Sequence, residues 1–144
     1  MPSLKRLCLT SLALLLLSAC AIASSPAVDH RGRPLPPETL GPTAVRVLFF
    51  DQTVESRNAG GDVSLTYYAP NGTLKQKRDG EVRLGSWSVR KDGRICLAMS
   101  GEKRKCRFVL KDQNQYKKFT VSKSGKIKPV VTYHSFQPGN RLGL

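Results

Sequence analysis

From Gln52 onward the chain runs in short alternations of apolar and polar residues, broken by turn signals about every 8–14 residues. Val63, Leu65 and Tyr67 alternate with Ser64, Thr66 and Tyr68, and Pro70-Asn71-Gly72 then reverses the chain. Asn-Gly between two alternating runs is a strong hairpin signal, because both residues tolerate the positive φ of a tight turn. Runs follow over 73–78, 82–90, 94–99, 105–110, 116–121 and 127–136. Asp79-Gly80, Lys91-Asp92-Gly93, Gly101, Asp112 to Asn114 and Lys123-Ser124-Gly125 stand at the reversals. No helical period intervenes. The pattern predicts an all-β fold, a single antiparallel meander of seven to eight strands, as a curved sheet or a small up-and-down barrel.

Ahead of the strands, Pro42 to Phe50 reads in two ways. Proline in a first turn with Val45, Leu48 and Phe49 on one stripe makes a short helix. The Val and Phe content makes a first strand instead. Residues 20–42 contain Pro26, Pro34, Pro36, Pro37 and Pro42 among alanines and serines, the composition of a flexible tether.

The N-terminus reads as an address. Lys5 and Arg6 precede an uncharged run from Leu7 to Leu17, and Leu17-Ser18-Ala19-Cys20 closes it. The run fits the ~7–15 residues of a signal-peptide core and falls short of the ~20 that span a bilayer. This order resembles a bacterial lipoprotein signal, which implies lipidation of Cys20 and a mature chain held at a membrane, facing the periplasm or the cell surface. Ala21-Ile22-Ala23 offers ordinary signal peptidase a second cut, which would release a soluble periplasmic or secreted protein. The chain therefore divides into a signal peptide (1–19), a lipidated N-terminus with its tether (20–42) and a basic β-domain (43–144).

Export changes the reading of the cysteines. Cys8 leaves with the signal and Cys20 goes to lipid, so Cys96 and Cys106 remain as a pair. A hairpin folded about Gly101 sets them opposite each other, within disulfide reach, and the bridge would contribute about 2–3 kcal/mol. Two cysteines without a nearby histidine do not make a metal site, so no metal or cofactor is expected.

Charge narrows the partners. The 144 residues carry 24 Lys and Arg against 10 Asp and Glu, a net +14. From Thr73 onward 18 basic residues face 5 acidic ones, while 20–72 is close to neutral. Lys103, Arg104, Lys105 and Arg107 form the densest cluster, and Lys117, Lys118, Lys123, Lys126 and Lys128 a second. Brought together by the sheet, they would form an anion-binding face; left apart, they are a solvated rim. Anionic lipid, lipopolysaccharide and acidic polysaccharide are the envelope partners of matching charge. A protein partner is a further candidate, and an envelope address leaves little place for nucleic acid.

Catalytic chemistry finds little support. His30 lies in the tether and His134 stands alone near the end, and no nucleophile elbow, metal spacing or phosphate loop occurs. Trp87, the one tryptophan, sits mid-strand with Val89 on its face. It reads as core, or as a stacking aromatic in a barrel pocket. The expectation is a non-catalytic envelope lipoprotein binding an anionic envelope component or a partner protein. The alternatives are a barrel carrying an apolar small molecule, with Trp87 in its cavity, and a hydrolase inhibitor acting through the loop 99–105.

The order LFFDQTV, YYAPNGT, GSWSVRKDGRICL, CRF and PGNRLGL resembles an uncharacterised family of small exported bacterial proteins, over residues 44–144. The resemblance implies framework roles for Trp87, Cys96, Cys106, Gly139 and Asn140. It carries fold and compartment, and no activity.

Overall fold

The computed structural model describes residues 27–143. A short helix, α1 (Pro42–Phe49), precedes eight strands: β1 (Gln52–Asn58), β2 (Val63–Tyr68), β3 (Thr73–Arg78), β4 (Glu81–Val89), β5 (Ile95–Met99), β6 (Lys105–Asp112), β7 (Gln115–Val121) and β8 (Ile127–Pro138). Each strand pairs antiparallel with the next, and β8 pairs with β1, so the meander closes as a barrel. Closure leaves no open sheet edge, which removes the need for edge protection. Among the described residues no helix is long and apolar enough to cross a membrane.

The helical reading of 42–50 holds because α1 has an apolar stripe to bury. Val45 and Phe49 are fully buried, and Pro42 stands in the first turn, where its missing N–H costs nothing. The helix closes the barrel end where β1 starts and β2 finishes. Phe49 lies 4.8 Å from the Tyr68 ring, 5.1 Å from Tyr133 and 5.7 Å from Phe136, centroid to centroid. Burying such a ring contributes about 1.5–3 kcal/mol. Val54, Leu74, Trp87, Ile95 and Val109 complete the core around it. Gly93, at φ +86°, turns β4 into β5 directly beneath the entrance to α1. A Cβ there would sit 2.9 Å from the Leu40 carbonyl oxygen, so a side chain would push the helix off its seat.

The stretch expected as a tether is not free over its second half. Residues 27–41 lie along the outside of β6 and β7. Val28 bridges Pro34, and Thr39 bridges Leu110. The Leu40 amide donates to the Val109 carbonyl at 2.8 Å, and Lys111 donates to Glu38 at 3.0 Å. Leu35 covers Phe108 and Phe119, which stack at 5.8 Å on the outer face. The prolines that suggested flexibility instead suit an extended strap, because that conformation needs no ladder N–H. Asp29 anchors its far end. Burial would raise this carboxyl, but the Arg33 amide and guanidinium and the Arg31 amide outweigh burial and hold it at about 2. Arg33 also donates to the Ser122 and Lys123 carbonyls in the β7–β8 turn, at 3.1 and 2.9 Å.

Cys96 and Cys106 face each other across β5 and β6 and are disulfide-bonded, with Cα atoms 4.0 Å apart. The bridge faces outward, since Ile95 and Val109 on the same strands face the core. At the other flank the C-terminal segment folds onto β1. The Thr53 hydroxyl donates to the Gly139 carbonyl at 2.7 Å and accepts the Arg141 amide at 2.9 Å, and Leu142 is buried.

Candidate functional site: a cationic mouth

Side chains on a strand alternate between faces, so each strand that contributes to the plug also sends residues toward the opposite end. Stepping in twos from Leu74 on β3 leads to Gln76 and Arg78. From Trp87 on β4 the same step leads back through Gly85 to Arg83. On β6, Val109 shares its face with Arg107 and Lys105, and on β7 Tyr116 shares its face with Lys118. These residues meet at the barrel end away from α1, around a cavity of about 310 Å³. Leu97 and Met99 of β5 with Val130 and Val131 of β8 form its apolar wall. Gly85 gives β4 and β5 the room to pair there: a Cβ would lie 2.5 Å from the Ala98 carbonyl oxygen and 3.1 Å from the Met99 sulfur.

The floor on the β1–β3 side is polar. Ser56 and Ser64 are buried, with hydroxyl oxygens 3.2 Å apart, and the Gln76 amide donates to the Thr66 hydroxyl at 3.1 Å. Buried polar groups without partners cost free energy, and these pair with each other.

The charges are unequally compensated. At the rim, the Glu102 carboxylate pairs with the Arg83 guanidinium and with Lys105 at 3.2 Å. Those hydrogen bonds, Arg83 first, pull the Glu102 carboxyl below its ordinary value. Deeper in, Arg78, Arg107 and Lys118 have no carboxylate partner among the described residues. The Arg107 guanidinium donates to the Cys106 carbonyl at 3.0 Å, and Arg78 Nε is buried with no hydrogen-bond partner among the described residues. Lys118 is only half-buried by exposed area, since the cavity reaches solvent, yet protein surrounds it. Burial lowers its ammonium to about 8, and the positive charges of Arg107, Arg78 and Lys105 act in the same direction. Like charges held together this way favour an anion between them.

Of the anion-binding residues expected from the sequence, the fold gathers Lys105, Arg107 and Lys118 and separates the rest. Lys103 and Arg104 project from the β5–β6 loop into solvent, because the loop has no sheet face to turn inward. Lys117 points outward, one residue out of phase with Lys118, and pairs with Asp112 at 2.5 Å. Lys123, Lys126 and Lys128 are exposed at the β7–β8 turn. Gln76, Arg78 and Arg83 belong to the site and were missing from that expectation. The available signal was parity counted from Leu74 and Trp87.

Trp87 does not line the cavity. It lies in the plugged half, T-shaped against Tyr68 at 5.5 Å, with its indole N–H donating to the Ala69 carbonyl at 2.8 Å. That bond satisfies the one polar atom of the ring, which is what lets it serve as core. Trp87 thus stands in the core and apart from the cationic cavity, while it borders a separate, shallower cavity of about 230 Å³ beside Arg46, Phe50 and Asn71. His30 and His134 are both exposed, and among the described residues no group of three or more His, Cys, Asp or Glu could hold a metal ion. Cys20 and the signal-like segment lie outside the described residues.

Fold and site together define a small closed antiparallel barrel with one plugged end and one cationic mouth. The chain matches no family model, no curated protein and no solved structure.

Proposed function

We propose that this is a non-catalytic anion-binding barrel of the cell envelope, tethered through Cys20, that takes the anionic group of an envelope component into its mouth. The observation that carries the reading is the convergence of Arg78, Arg107 and Lys118 on one cavity whose one lining carboxylate, Glu102, is paired with Arg83 and Lys105 instead. Grouping three cations in a partly desolvated space costs stability, and a bound anion offsets that cost. Solubility alone would be served by lysines in solvent, where Lys103 of the β5–β6 loop and Lys117 on the outer face already stand. An apolar carrier is less well supported, because α1 and the aromatic cluster fill the half of the interior that an apolar ligand would use.

Cosedimentation of the chain with phosphatidylglycerol vesicles or lipopolysaccharide at low ionic strength tests the reading. Binding should fall steeply with added salt. It should weaken at least tenfold in the Arg78→Gln and Lys118→Gln variants and stay within twofold in Lys103→Ala. Equal losses in all three variants would reject the mouth as the site, and indifference to both anionic surfaces would reject an envelope surface as the source of its ligand.

A further inference from the structure

We infer that the ligand of the mouth is a phosphomonoester dianion carrying a short apolar group. This rests on the reading of the mouth as an anion site and names the chemistry that the site selects. Three features converge on it. First, the uncompensated charge comes from two guanidinia, Arg78 and Arg107, with one ammonium, Lys118. Guanidinium forks match the paired oxygens of a phosphate, and an ammonium adds a point charge that a single-charged carboxylate or sulfate ester uses less well. Second, the opposite wall is Leu97, Met99, Val130 and Val131, which gives an ester substituent apolar surface to cover. Third, the cavity of about 310 Å³ stands at the small end of the ~300–1,000 Å³ typical of ligand pockets. The plug stops it from deepening into the aromatic half. That room suits a phosphate with a compact substituent; an acyl chain or a saccharide would have to remain outside.

The groups facing Lys118 are Arg78 of β3, Arg83 of β4, Lys105 and Arg107 of β6, and Glu102 of the β5–β6 loop, while β5 and β8 present only Leu97, Met99, Val130 and Val131. Burial and the neighbouring cations lower the Lys118 ammonium to about 8, so it loses its charge within the working pH range. The second ionisation of a phosphomonoester lies near 6. Affinity should therefore peak between about pH 6 and pH 8, falling on the acid side as the ligand protonates and on the alkaline side as Lys118 discharges.

Calorimetric titration of the chain with phenyl phosphate, phenyl sulfate and inorganic phosphate from pH 5 to 9 tests this. Phenyl phosphate should bind at least tenfold more tightly than either of the others. It should show both limbs, whereas phenyl sulfate should show only the alkaline limb. The Lys118→Met variant should lose the alkaline limb and keep the acid one. Competition of phenyl phosphate with vesicles containing phosphatidic acid, set against phosphatidylglycerol vesicles, separates a lipid head group from a soluble ester as its source. Displacement from phosphatidic acid supports the lipid, and binding of phenyl phosphate with no retention on vesicles supports the soluble ester. Equal affinity for phenyl phosphate and phenyl sulfate, or the lack of an acid limb, would overturn the phosphomonoester while leaving the anion site standing. No binding of any of the three, together with no retention on anionic vesicles, would remove both.

Discussion

At the helix end of the barrel, Phe49, Tyr68, Trp87 and Tyr133 fill the space between the strands; at the mouth, the same sheet turns Gln76, Arg78, Arg107 and Lys118 inward. One half is closed by rings at 4.8–5.9 Å. The other is open and carries charge that the described residues leave unbalanced. The difference teaches where stability and specificity reside. Ring packing holds the barrel in one shape, and that rigidity lets the far end keep like charges close without collapsing around them.

Breaking the plug should have the largest effect. Phe49→Ala removes the ring at the centre of the aromatic cluster and should cost about 3–5 kcal/mol in urea unfolding. Removing the disulfide by Cys96→Ala with Cys106→Ala should cost about 2–3 kcal/mol by the same measurement, since the closed loop is short. Both changes should act on folding, with anion affinity of the folded fraction little altered.

The mouth should respond with the opposite sign. Lys118→Met replaces a partly desolvated ammonium with an apolar chain of similar length. It should raise the stability of the free protein by about 1 kcal/mol while weakening anion binding at least tenfold. A destabilised Lys118→Met would mean that the ammonium already has a partner, and the contrast between the halves would fail.

Two pH effects sharpen the same contrast. Lys118 is lowered in the folded protein to about 8 from 10.5, so between these values the unfolded chain binds more protons than the folded one. Stability of the free protein should therefore rise as pH climbs from about 8 to 10.5, until general alkaline unfolding sets in. Asp29 gives a slope of the same sign in acid, but for the opposite reason, because the fold favours its charged form. Its carboxyl is held at about 2, so its contribution is present above pH 4 and is lost as pH falls through 2. Hydrogen exchange along β6 and β7 at pH 2–3 should report a loosened strap before the barrel opens.

The strands and their order were legible because turn residues such as Asn71-Gly72, Asp92-Gly93 and Ser124-Gly125 punctuate the chain. β1 was the least visible strand, since Gln-Thr-Val-Glu-Ser-Arg-Asn holds one apolar residue, Val54; its partners on β2 and β8 decide its place. Closure was not legible, because no local pattern distinguishes a meander whose last strand meets its first. Half of the site could be read as charge density, but which cations meet depends on parity. Lys117 and Lys118 are neighbours in sequence and lie on opposite faces of one strand. In β3 both faces carry basic residues, so only the inward position of Leu74 shows that Arg78 faces the cavity and Lys77 does not. The strap misled for a related reason: β6 and β7 bury Phe108 and Phe119 on their outer face, under a proline-rich segment that composition alone marks as loose.

The most direct test of the central claim is a two-dimensional amide and side-chain NMR titration of the chain with phenyl phosphate at pH 7. The account predicts saturable shifts at the Gln76 and Arg78 amides, the Arg107 guanidinium and the Lys118 ammonium, with the Trp87 indole and Lys103, Arg104 and Lys117 unmoved. Shifts spread evenly over the exposed lysines, or confined to Trp87, would contradict it.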